Sequence, residues 1–137
     1  MLNRKILDTY PPRIRGRLHH ALPLSIIPEH DDPFDQWFYS NYIQLSCKRE
    51  PEGWNELNFH EAFIWNHKYP NFQVIPLTRE NISIFQNDLI QFITKAISEG
   101  FYFHSYVDEF YTPLHFSNDY HLVRDILVYG YDLTEEV

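Results

Sequence analysis

The chain holds a single cysteine, Cys47, among 137 residues, and eight histidines. Thiol chemistry, if there is any, runs through Cys47. A cysteine attacks as the thiolate, which needs a histidine, a cation or a helix N-terminus beside it. Cys47 instead closes the stretch Tyr42-Ile43-Gln44-Leu45-Ser46, whose β-rich composition and partial alternation predict a strand. The competing role is structural, because a half-buried strand thiol behaves as a small apolar side chain.

The histidines show no local metal pattern. His19 and His20 are adjacent, so they cannot share one face of a helix or strand. His60-Glu61 and His67 lack a third ligand nearby, and no His-Glu-x-x-His arrangement is present. His104 with Asp108, or His115 with His121, meet only if the fold brings them together. No metal and no cofactor are expected. Asp108-Glu109 is a carboxylate pair of the kind that does acid–base work; its other reading is a solvated turn or a salt bridge to a residue such as Arg124. Phe101, Tyr102, Phe103, Tyr106, Phe110 and Tyr111 either line an apolar pocket or pack on both sides of a sheet. The chain has only four glycines and no phosphate-binding loop. Gly130, alone in an apolar run, marks a bulge or a close backbone approach.

The elements that must position these residues begin with an extended arm over 1–17, broken by Pro11-Pro12. Residues 19–27 predict a helix with Pro23 in its first turn, or two short pieces. A polar turn over 28–33 follows, then the strand containing 42–46 and a loop over 48–58 with Pro51 and Gly53. Residues 59–65 suit either a short helix or a strand, and 72–77 a weak edge strand. The clearest element is a long helix over 81–99. Ile82, Phe85, Leu89, Phe92, Ile93 and Ala96 form one apolar stripe, with Thr78 or Asn81 as cap and Gly100 at the exit. Strands over 101–107 and 126–131 are expected to pair antiparallel, since the link between them has no helical pattern for a parallel crossover. Residues 132–136 read as a hairpin turn whose return strand is missing. The expected class is therefore α+β: an antiparallel sheet with one long helix packed on it, in a single domain over 18–137 that forms the N-terminal part of a longer protein.

Composition narrows the partners. Eleven basic against 19 acidic residues give a formal net charge of −8, which disfavours nucleic acid and anionic membrane surfaces. One cysteine excludes an intramolecular disulfide. No signal-like segment or apolar run long enough to span a bilayer is visible, so the expectation is a soluble, cytoplasmic protein. Aromatics reach 18%. Exposed rings and an unpaired strand edge make a homodimer one way to cover that edge.

Two segments carry a resemblance: Tyr106-Val107-Asp108-Glu109-Phe110-Tyr111, and His121-Leu122-Val123-Arg124-Asp125-Ile126-Leu127-Val128-Tyr129-Gly130-Tyr131-Asp132. They resemble bacterial proteins similar to the N-terminal domain of butirosin biosynthesis protein H, which are associated with nonribosomal peptide and other secondary-metabolite gene clusters. The segment over 19–27 resembles their opening helix and that over 39–45 their early strand. The resemblance spans about residues 18 to 137 and implies part of a papain-like fold and acyl transfer from a carrier-protein thioester. In that pattern a cysteine near the opening helix takes the acyl group and a histidine before the Ile-Leu-Val-Tyr-Gly-Tyr strand acts as base. Here His19 and His20 stand in the opening segment and Arg124 precedes Asp125-Ile126. Arginine stays protonated and cannot serve as that base. The resemblance thus implies a catalytically degenerate or accessory module acting beside an acyl- or peptidyl-carrier protein. The alternatives are an active cysteine acyltransferase or hydrolase using Cys47, with His121 or His20 as candidate partners, and a small aromatic-rich binding domain.

Overall fold

Phe34, Phe38 and Tyr42 recur every four residues, and on a helix that spacing aligns them along one face. In the computed structural model they do form a helix. The structure describes residues 3–28, 32–49, 51, 53, 55–59, 73–83, 88–112 and 120–134. The chain divides into two compact units, Tyr10–Ile75 and Met1–Thr9 with Pro76–Val137.

In the Tyr10–Ile75 unit, α1 (Leu18–Leu24) precedes α2 (Asp32–Tyr42) and an antiparallel hairpin of β2 (Leu45–Arg49) and β3 (Asn55–Phe59). Pro23 lies inside α1, one residue from its end. It stands in the last turn rather than in the first turn expected, and so forgoes one i→i−4 bond of this short helix. Ser25 closes the helix, its hydroxyl donating to the Leu22 carbonyl at 2.7 Å. The aromatic rings of α2 stack, Phe34 on Phe38 at 5.6 Å and Phe38 on Tyr42 at 4.9 Å between centroids. With Leu24 and Ile27 they form the core, flanked by Ile14, Ile26, Trp37 and Phe59. The Arg13 guanidinium covers the rings of Phe34 and Phe38 at 5.0 and 5.2 Å and pairs with Asp35 at 2.8 Å.

Two expectations are corrected here. Tyr42 ends a helix rather than starting a strand, because burying an aromatic stripe of three rings outweighs the β preference of its residues. The loop expected over 48–58 is largely a hairpin. Asn55-Glu56-Leu57-Asn58 has weak β propensity, but its backbone is satisfied by β2, in register from Leu45↔Phe59 to Arg49↔Asn55.

In the other unit, the expected helix over 81–99 is not continuous. It appears as α3 (Arg79–Ser83) and α4 (Leu89–Ser98). Asp88 sits at φ −111°, ψ 62°, outside the helical region, and its side chain accepts from the Gln91 N–H at 2.9 Å, so α4 starts afresh. Thr78 accepts from the Asn81 N–H at the start of α3. Phe85 lies outside the described residues. Gly100 exits at φ +93°. Its N–H bonds to Ile97 O and that of Phe101 to Ala96 O, the paired closure for which glycine is favoured. No described residue of the stripe is fully buried: Ile82, Phe92, Ile93 and Ala96 are half-buried and Leu89 is exposed, while Ile97, beside the stripe, is the one that is enclosed.

β4 (Phe103–Asp108) pairs antiparallel with β5 (Val123–Val128), as expected. β6 (Gly130–Asp132) pairs antiparallel with β1 (Arg4–Ile6), so the start of the arm is part of this unit. A Cβ on Gly130 would stand 2.9 Å from the Lys5 carbonyl oxygen, the close approach that the lone glycine implied. Residues 73–77, expected as an edge strand, take no regular structure. Of the residues expected as helix or strand over 59–65, Phe59 closes β3 and the rest lie outside the described residues. No helix among the described residues is long and apolar enough to cross a membrane.

Phe34→Ala should lower stability by about 3–5 kcal/mol, since it deletes a fully enclosed ring; a chemical melt followed by the signal of the Tyr10–Ile75 unit checks this. Gly130→Ala should cost about 1–3 kcal/mol, because β1 must retreat from the new methyl. Hydrogen exchange at the Leu7 amide, which bonds Tyr129 O at 2.7 Å, should report the loosened β1.

Candidate functional site

Among the described residues, His20 is the most enclosed polar side chain of its unit, with no solvent exposure. α1 presents it to β3, where its Nε2 lies 3.1 Å from Asn58 Oδ1. The same oxygen accepts the Phe59 N–H at 2.9 Å, which fixes the amide with its oxygen inward. His20 Nε2 is therefore the donor, and Nδ1 carries a lone pair. That Nδ1 is buried without a hydrogen-bond partner, as is the hydroxyl of Tyr42. The rings of Tyr42 and Phe59 meet the imidazole edge-on at 5.5 and 5.4 Å. Burial holds the His20 pKa below its ordinary 6.5, with His19 and Arg17 adding to the effect and the Asn58 hydrogen bond opposing it. Burial also pushes the Tyr42 phenol far up.

Cys47 lies in β2 opposite Leu57 and is exposed. Strand alternation puts it on the face shared with Leu45 and Leu57, which are also exposed. Ser46 and Asn58, the next pair along, face the other way, so the residue that holds His20 is on the face opposite Cys47. The half-buried setting expected for the thiol is not what the hairpin provides.

His121 belongs to the other unit, just before β5. Its Nδ1 donates to Asp108 Oδ2 at 2.7 Å, and its ring lies against Phe110 at 4.5 Å between centroids. Asp108 also accepts the Phe110 N–H at 3.1 Å. Together these bonds tie the end of β4 to the start of β5 across the 3-10 turn Glu109–Tyr111. The His121 hydrogen bond is the chief reason the Asp108 carboxyl is held below its ordinary 3.8. Arg124 Nε pairs with Glu109 Oε1, the salt bridge suggested for this acidic pair. His104 meets Asp125 at 3.1 Å rather than Asp108. His115, His60, Glu61 and His67 lie outside the described residues.

Among the described residues no three or more His, Cys, Asp or Glu side chains are arranged to hold a metal ion. A groove of about 460 Å³ runs beside β6, between Arg4, Ile6 and Tyr129, and none of the candidate residues lines it. Asn58 is the partner that sequence reasoning missed. Nothing local marks it, because its role depends on a contact 38 positions back along the chain. Compared with known protein families, curated proteins and solved structures, the chain matches none.

The Asp108 carboxylate is favoured by folding. Its contribution is complete above the ordinary carboxylate value and is lost as the pH falls through the lower folded one. Carboxyl NMR should place the Asp108 midpoint below 3.8, and His121→Ala should move it upward. An unchanged midpoint in that variant would mean that the hydrogen bond does not set it.

Proposed function

We propose that this chain is a non-catalytic accessory module, a degenerate relative of the butirosin H-like acyltransferases that works beside an acyl- or peptidyl-carrier protein in secondary-metabolite biosynthesis. The observation that supports it best is His20. It stands in the segment where the resemblance looks for the acyl-accepting cysteine, and it is sealed from solvent against Asn58, Tyr42 and Phe59. A side chain so enclosed can meet neither a thioester nor an incoming amine. The second displaced position agrees, because Arg124 is held by Glu109 and, staying protonated near neutral pH, cannot accept a proton as a base. Cys47 is the one nucleophile that keeps the enzyme reading open, since it is exposed.

Incubation with an acyl-carrier thioester, followed by intact-protein mass spectrometry, tests the proposal. A thiol reagent should label Cys47 in the folded chain, because the residue is accessible. The thioester should leave no acyl group on the protein, while calorimetry should detect binding of the carrier. Acyl-enzyme formation that disappears in Cys47→Ala would establish the enzyme reading instead. A carrier that does not bind would remove the accessory one.

A further inference from the structure

We propose that His20 is an acid-operated latch: uptake of a proton at its buried Nδ1 breaks the seam between α1, α2 and β3 and opens the Tyr10–Ile75 unit. The geometry admits only the neutral ring. Nε2 already donates to Asn58 Oδ1, and Nδ1 has no partner. An imidazolium needs an acceptor at both nitrogens, and a buried charge without one is strongly disfavoured.

Among the described residues, the elements packed around the ring offer nothing to neutralise it. α1 contributes Arg17 and His19, both of which oppose a further positive charge. α2 contributes the Tyr42 ring, whose phenol burial keeps protonated. β3 contributes neutral Asn58 and apolar Phe59. The carboxylates described on these elements are engaged elsewhere, Glu56 by Arg17 at 3.2 Å and Asp35 by Arg13 at 2.8 Å. The ring can therefore charge only by leaving its site, and leaving removes the His20–Asn58 tie between α1 and β3 and one wall of the aromatic cluster.

The sign follows from linkage. The open state binds one more proton than the closed state once the pH is below the ordinary histidine value of 6.5. The opening equilibrium then rises by up to about tenfold for each pH unit, and is flat above that value. Burial, which holds the folded pKa down, widens the interval over which the rise continues.

Hydrogen exchange between pH 7.5 and 5.0, corrected for intrinsic rates, reads the opening. Segments 18–27, 34–42 and 55–59 should lose protection together below pH 6.5, while 103–108 and 123–128 keep theirs. His20→Gln supplies an amide donor without a titratable ring and should flatten the pH dependence of the first three segments. The same acid loss in His20→Gln, or full protection of the wild type at pH 5.0, overturns the proposal. If His20→Gln does not fold, ring NMR of the wild type decides. A His20 that stays neutral in the closed state below pH 6 supports the latch, and one that titrates at 6.5 or above without opening overturns it.

Discussion

Burial of the Phe34, Phe38 and Tyr42 stripe is the interaction on which the Tyr10–Ile75 unit depends. Three rings at four-residue spacing commit residues 32–42 to a helix. Their stacked face is broad enough to hold Leu24 and Ile27 from the preceding segment and Phe59 from the hairpin. α1 is short and carries a proline, so its own propensity is small; it is helical because Leu24 and Ala21 are buried. Once α1 is seated, its His20 faces the ends of α2 and β3, and the hairpin is anchored through Asn58 and through Arg17, which reaches Glu56 and the Leu57 carbonyl. The cost of this arrangement is a polar ring, fully enclosed, whose second nitrogen is unsatisfied.

The second unit depends on a pairing between distant parts of the chain. β1 reaches β6 across more than a hundred residues, and Gly130 allows the backbones to close. Around this ladder α4 is secured by polar ties rather than by a large apolar face. Lys5 donates to the Ser98 carbonyl at 2.6 Å, near the negative end of the helix, and the hydroxyls of Ser98 and Tyr131 meet at 2.8 Å. Ile97 is its one fully buried apolar side chain among the described residues. The Asp108–His121 hydrogen bond and the Glu109–Arg124 ion pair at the β4–β5 end are partly exposed and are worth little as energy. Their effect is local order, holding the start of β5 against the 3-10 turn.

Legibility differs from element to element. The β4–β5 pairing, the Gly100 exit and the close approach at Gly130 were all visible in residue types, because glycine and alternating apolar runs act locally. The Glu109–Arg124 bridge was visible as complementary charge. The break before Leu89 was not, since Asn87-Asp88 falls inside an unbroken apolar stripe and only the cap geometry of Asp88 shows that the helix restarts. The β2–β3 hairpin was hidden by its polar composition, and α2 by aromatic residues that suit a strand equally well.

By itself, the sequence determined which chemistry was available: one thiol, no glycine-rich phosphate loop, an acidic surface and an abundance of rings. It also determined the helix exit at Gly100 and the close approach at Gly130, because those depend on backbone freedom at single residues. Only the tertiary structure decided which histidine is sealed and which is exposed, that Asn58 orients one and Asp108 the other, and that Cys47 lies on the exposed face of its hairpin. Burial and hydrogen-bond partnership are properties of contacts between residues far apart in the chain. Adjacent residues such as His19 and His20 carry the same local signal, yet it is packing that encloses His20 completely.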